Sequence, residues 1–184
     1  MVTLRSVLIR PARPEDAEAI VCLLDPYVAD GIVLPRTAAE VRAAAADFLV
    51  AEREHGVVGA VAVRDYGHYL VEIRSLVVAT TVAGRGLGSA LVAAAVDLAR
   101  QRGARRVFAL TLRPALFERQ HFLQVDRDLF PQKVWADCSN CPKRSRCDEV
   151  AVAMDLQRTT ASDSTTGAGT GGSAAAAVAG GGLV

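Results

Sequence analysis

Leu76-Val77-Val78-Ala79-Thr80-Thr81-Val82-Ala83-Gly84-Arg85-Gly86-Leu87-Gly88-Ser89 is the stretch on which the reading of this chain turns. Before it, the largely β-branched run from Tyr69 reads as a long strand ending at Val78. After it, Leu87, Leu91, Val92, Ala95 and Leu98 recur at helical spacing, so a helix runs from Gly86 to Arg102. Gly103 follows at the position where helices commonly stop. Three alternating glycines join the two elements. Glycine lets a backbone turn tightly and approach a ligand closely. The first turn of a helix offers N–H groups without helical partners and a partial positive charge, which together bind phosphate oxygens. Arg85 adds a mobile cation. The segment therefore predicts a pyrophosphate cradle built from Gly84, Arg85, Gly86, Leu87, Gly88 and Ser89.

Working outward, strands and helices alternate. Val7–Arg10 reads as a first strand. Pro14-Glu15-Asp16 opens a helix carrying Ala17, Ile20, Val21, Leu24 and Val28 on one face. Thr37 and Glu40 have the spacing of a capping box, so a second helix starts near Ala38. Residues 48–51 and 57–63 read as a hairpin around Glu54-His55-Gly56, which makes Tyr69–Val78 the fourth strand. Arg105–Thr111 is a further strand, Pro114–Gln120 a short helix, and Val150–Leu156 a last strand. The expected fold is α/β (α+β), a mixed central sheet flanked by helices in a single domain over residues 1–156. Residues 157–184 are Ser, Thr, Gly and Ala with almost no charge, and they read as a disordered low-complexity tail.

The position of the glycine loop excludes two nucleotide classes. A dinucleotide fold carries GxGxxG after its first strand, with an acid about twenty residues on. Here the loop follows the fourth strand, and no acid stands at Gln101 or Arg102. The Gly-Lys-Ser/Thr of a Walker loop is absent. The 21 basic and 20 acidic residues among 184 leave a formal net charge of +1, which gives no reason to expect nucleic acid or an anionic membrane as partner. Apolar runs stop well short of the ~20 residues of a membrane span, and the N-terminus lacks the pattern of a signal peptide. A cytoplasmic location is the expectation.

Strand, connector and loop together resemble the coenzyme A motif of the GNAT-type N-acetyltransferases. That resemblance implies acetyl-CoA as co-substrate, with the backbone of Val77 and Val78 pairing with the pantetheine arm and the Gly84–Ser89 amides holding the pyrophosphate. The family pattern usually places Arg or Gln three residues before the second glycine, where Ala83 stands; Arg85 is the cation that remains. Ile32–Thr37, Val71–Val78, Leu110-Thr111, Phe117-Glu118-Arg119 and Phe130–Cys138, in this order, resemble the short, stand-alone N-acetylglutamate synthases. The implied reaction is acetyl transfer to the α-amine of L-glutamate or a close analogue such as glutamine, at the start of arginine biosynthesis. Another amine, such as a protein N-terminus, and a non-catalytic acetyl-CoA or redox-sensing module are the alternatives. Small molecules are the expected partners, and the family gives a homodimer as the expected assembly.

Such chemistry needs a base for the acceptor amine and cations for its carboxylates. Glu72 and Arg74 lie two apart on one strand and share a face unless a bulge intervenes. Glu72 is the candidate catalytic base, acting through water, and Arg74, Arg36 and Lys133 are candidates for carboxylate binding. The same residues also read as a structural ion pair and as surface charges. Arg113 is a weaker candidate. Leu116-Phe117 stands where many family members carry a proton-donating Tyr, so the general acid is water or unassigned.

Cys138, Cys141 and Cys147 form a cluster with three thiols where a structural zinc site takes four ligands. Asp137, His121 or Cys22 could be a fourth, none at a characteristic spacing. A structural role near the acceptor is favoured over zinc, and zinc over an iron–sulfur cluster. Trp135 reads as a packing anchor, and His55 and His68 as solvated turn residues.

Overall fold

The computed structural model describes residues 7–54, 56–141 and 143–156, without the side chains of Trp135, Asn140 and Arg144. His55, the anchoring role read for Trp135, and the tail from residue 157 therefore lie outside the described residues.

The observed strands are β1 (Leu8–Pro11), β2 (Phe48–Arg53), β3 (Gly56–Asp65), β4 (Leu70–Val78), β5 (Arg106–Thr111), β6 (Leu123–Val125) and β7 (Val150–Asp155). They form one sheet in the order β1-β2-β3-β4-β5-β7-β6. Only β4 and β5 run parallel; every other pair is antiparallel. The helices are α1 (Ala17–Ala29), α2 (Ala38–Ala43), α3 (Leu87–Gln101), α4 (Pro114–Glu118) and α5 (Pro131–Ala136). The mixed sheet flanked by helices is the fold expected from sequence. The capping box forms as read: Glu40 N donates to Thr37 Oγ1, and Thr37 N donates to Glu40 Oε2. The short β6 and α5 have no counterpart in the sequence reading. Among the described residues no helix is long and apolar enough to cross a membrane.

The sheet separates two apolar layers. On one face, Leu91, Val92, Ala95, Val96 and Ala99 of α3 pack on Val61, Val63, Val71 and Ile73. On the other, Ile20 and Leu24 of α1 and Val41 of α2 pack on Val50, Ala60, Ala62 and Val77. Helix α3 comes very close to the sheet at Gly59, where a Cβ would lie 3.0 Å from Leu91 Cδ1 and 3.2 Å from the Val77 carbonyl oxygen. Backbone cannot yield as a side chain can. Gly59→Ala is expected to cost about 1–3 kcal/mol by overpacking. That lowers the melting temperature by roughly 3–10 °C, readable by circular dichroism; an unchanged melt would mean that the helix and sheet absorb the methyl freely.

Two irregularities shape the centre of the sheet. The β4–β5 register covers only Leu70↔Arg106, Val71↔Val107 and Glu72↔Phe108. Beyond Glu72 the strands part, leaving residues 73–78 of β4 along an open wedge. In the β3–β4 register, Ala60 faces Val77 and Ala62 faces Arg74, so Ser75 and Leu76 together oppose Val61. This is a β-bulge, and Ser75 takes a positive φ of 51° within it. The extra residue inverts the alternation. Val71 and Ile73 face α3, yet Val77 faces α1, while Leu76 and Val78 pack toward α3.

Candidate active site

The glycine loop lies at the head of the wedge. Gly84 and Gly86 have φ of +76° and +82°, a region that side chains with a Cβ rarely occupy, and a Cβ at either would meet open space. Gly86 starts α3 as its N-cap, and Ala90 N makes the first helical hydrogen bond to Gly86 O at 3.0 Å. The amides of Leu87, Gly88 and Ser89 therefore precede the helical ladder. Gly88 is close-packed instead: its Cβ would stand 3.2 Å from Leu116 Cδ1 of α4. Arg85 is exposed beside the loop. The geometry fits a pyrophosphate: free amides, a helix N-terminus, open space and one mobile cation. Val77 and Val78 end the open edge of β4, where Tyr27 Oη of α1 donates to Val78 O at 3.2 Å.

The second half of the site is a charged cluster where β4 and β5 part. The bulge follows Arg74, so Glu72 and Arg74 do share a face. Glu72 is 2% exposed. Its Oε1 lies 2.6 Å from Lys133 Nζ, and its Oε2 accepts from Tyr66 Oη at 3.0 Å and lies 3.6 Å from Arg74 Nη1. Lys133 arrives on α5, a six-residue helix that could not hold its place alone. Phe130, immediately before α5, stacks on Phe108 of β5 with centroids 4.0 Å apart and rings 5° from parallel. Phe108 is the register partner of Glu72, so this stack delivers Lys133 to Glu72. Asp137, just after α5, accepts from Lys133 Nζ at 2.8 Å and Arg74 Nη1 at 2.8 Å.

Burial and neighbouring charges shift several groups around the cluster. Burial, reinforced by the Glu72 charge, pushes the Tyr66 phenol above its usual range, so Tyr66 donates to Glu72 and is no base. Burial would raise the Asp137 carboxyl, but Lys133, Arg74 and Arg64 outweigh it and hold it below the usual range. Burial raises Glu149 and the Cys138 thiol, with Lys133 opposing both.

Arg36, in the loop between α1 and α2, lies with its guanidinium 6.0 Å from the Phe48 ring centroid. Burial, then the charge of Arg74, lowers its pKa, while Asp137, Glu40 and Glu72 oppose this. It lies within electrostatic reach of the cluster and has no ion-pair partner among the described residues, unlike Arg74 and Lys133. Arg113, His68 and His121 are exposed, away from these contacts. Phe117 is buried edge-on against Phe122. The four cysteines are free thiols. Among the described residues no group of three or more His, Cys, Asp and Glu is placed to hold a metal ion.

Sequence reasoning passed over Tyr66 and Arg64 as site residues and weighed Asp137 only as a metal ligand. Arg64 is the β3 register partner of Glu72 across the hairpin, and that register was the available signal. Tyr66 follows from the same hairpin. Asp137 had no local signal beyond its spacing of four from Lys133.

Residues 18–124 match the Acetyltransferase (GNAT) family. An uncharacterized N-acetyltransferase of Chlorobaculum tepidum is 38% identical over 148 residues, 80% of this chain and 96% of that protein. An amino-acid acetyltransferase of Mycobacterium tuberculosis is 34% identical over 122 residues, 65% of this chain and 70% of that protein. Among solved structures, N-acetylglutamate synthase of Neisseria gonorrhoeae, complexed with coenzyme A and N-acetyl-glutamate, superposes with a TM-score of 0.74 at 26% identity. The match covers 83% of this chain and 36% of the gonococcal one, so this chain spans just over a third of that enzyme. With the family matched over more than half of its length, a relative 38% identical along 96% of that relative, and a glycine loop and splayed sheet that fit both, the chain belongs to the GNAT family of acetyltransferases.

Proposed function

We propose that this enzyme transfers the acetyl group of acetyl-CoA to the α-amine of L-glutamate, or of a close analogue such as glutamine, as the first step of arginine biosynthesis. The observation that carries the reading is Arg36. It is a half-buried guanidinium within electrostatic reach of the Glu72 cluster, and it alone of the three candidate cations has no carboxylate partner among the described residues. A planar guanidinium binds a carboxylate through two oxygens, which suits an anionic amino acid over a polyamine. The relatives named as amino-acid acetyltransferase and N-acetylglutamate synthase support the same acceptor class.

In this reading the Gly84–Ser89 loop and Arg85 hold the pyrophosphate of acetyl-CoA, and the open edge at Val77 and Val78 holds its pantetheine arm. Bound acetyl-CoA supplies the activated acetyl group. The bulge at Ser75-Leu76 leaves backbone donors off the β3 ladder, on the strand where the thioester carbonyl would lie. Glu72 takes the proton of the acceptor ammonium through water. Lys133, Tyr66 and Arg74 fix its two oxygens. A coenzyme A thiolate leaves readily enough that no dedicated acid is required.

The test mixes the protein with acetyl-CoA and each of the twenty amino acids and follows free thiol. Release with glutamate or glutamine is expected; no release with any amino acid would sink the reading. In Arg36→Ala the acceptor KM is expected to rise about 10- to 100-fold, the worth of a charged hydrogen-bonded contact. The acetyl-CoA KM should stay within about twofold. Equal rises in both would make Arg36 structural.

A further inference from the structure

Asp137 gathers three cations from three elements. Arg64 of β3 donates Nη1 to Oδ1 at 3.1 Å and to Oδ2 at 3.3 Å, Arg74 of β4 donates Nη1 to Oδ2 at 2.8 Å, and Lys133 of α5 donates Nζ to Oδ2 at 2.8 Å. Its side chain is 14% exposed. Two of these cations are also the partners of Glu72, so Arg74 and Lys133 each bridge the two carboxylates. Three cations meet two anions, with Arg74, Lys133, Glu72 and Asp137 largely shielded from solvent and Arg64 at the exposed edge.

The arrangement has two consequences. A lysine ammonium is a point charge on a flexible stem, and one carboxylate does not fix its direction; the second carboxylate triangulates it. Without Asp137, Lys133 and Arg74 would keep Glu72 as their ion-pair partner among the described residues, and Arg64 would keep none. These cations would attract any acceptor carboxylate into the pocket where its amine should go, in competition with Arg36.

We propose that Asp137 is a positioning residue for acetyl transfer: it fixes Lys133 and Arg74 on Glu72 and neutralises them, so that acceptor carboxylates go to Arg36. The inference rests on the acceptor reading above. It assigns to Asp137 a role that acts through Glu72 and not by contact with substrate.

Asp137→Asn keeps the shape and removes the charge. The expected result is a split: kcat falls about tenfold or more, the glutamate KM stays level or falls, and acetyl-CoA affinity holds within twofold. A common fall in kcat, both affinities and melting temperature would make Asp137 merely structural and overturn the proposal. A lower KM with unchanged kcat would also overturn it, since Asp137 would then only compete with the acceptor carboxylate. A second readout needs no acceptor. The chain has two lysines, Lys133 and Lys143, so acetylation by an N-hydroxysuccinimide ester can be assigned by peptide mass spectrometry. Lys133 should react at least about threefold faster in Asp137→Asn than in the wild type, relative to Lys143. Equal rates would overturn the proposal even with normal kinetics. A wild type that acetylates no amino acid would sink the acceptor reading, while the labelling still decides whether Asp137 fixes Lys133.

Discussion

Glu72→Gln is expected to lower kcat by about 10²- to 10⁴-fold, the usual contribution of a positioned base, with acetyl-CoA affinity nearly unchanged. The substitution also removes the anion that Lys133 meets at 2.6 Å. Stranding one partner of a buried pair costs about 3–5 kcal/mol. The lower end applies here, because Asp137 still accepts from Lys133 at 2.8 Å. The single variant should therefore lose about 3 kcal/mol, or roughly 6–12 °C in melting temperature. A second substitution separates the two effects. In Glu72→Gln combined with Lys133→Met no cation is stranded, so most of the stability should return while activity stays lost. Retention of kcat within about threefold in Glu72→Gln would leave Glu72 as an ion-pair anchor only.

Gly86→Val is expected to damage the donor half as selectively. Position 86 has φ +82° and caps α3, so a β-branched residue there is strained by about 1–2 kcal/mol or more. The added side chain would also stand in the open space at the loop, where a Cβ meets nothing within 4 Å, beside the amides proposed to bind the pyrophosphate. The acetyl-CoA KM should rise by about 10- to 100-fold, in line with the loss of a few charge-assisted hydrogen bonds. The acceptor KM should move less than about threefold. Titration with coenzyme A checks this directly: unchanged affinity would place the pyrophosphate elsewhere. Gly88→Ala is a useful contrast, since its Cβ meets Leu116 Cδ1 at 3.2 Å and should perturb α4 packing before phosphate binding.

The strand, glycine loop and helix proposed to hold the donor were legible in the sequence because they are local. A strand, three glycines and a helix follow one another within some thirty residues, and each carries its own signal: a largely β-branched run, alternating glycines and apolar periodicity. The Thr37–Glu40 capping box was legible for the same reason. Glu72 and Arg74 could be set on one face by counting in twos, since the bulge falls one residue later. The bulge itself had no signal. Ser75 is not a glycine, and Leu70 to Val78 reads as unbroken strand.

The acceptor half was less legible because it is assembled from distant parts. Glu72 meets Lys133 across 61 positions only because Phe130 stacks on Phe108 and lowers a six-residue helix onto the sheet. Arg64, Arg74 and Asp137 converge through a hairpin register and that same docking. Chain-local signals thus determined the family fold and the glycine loop, where backbone conformation is set by neighbouring residues. Tertiary structure decided which of Arg36, Arg74 and Lys133 have carboxylate partners among the described residues, because pairing depends on packing between segments whose separation no local pattern encodes.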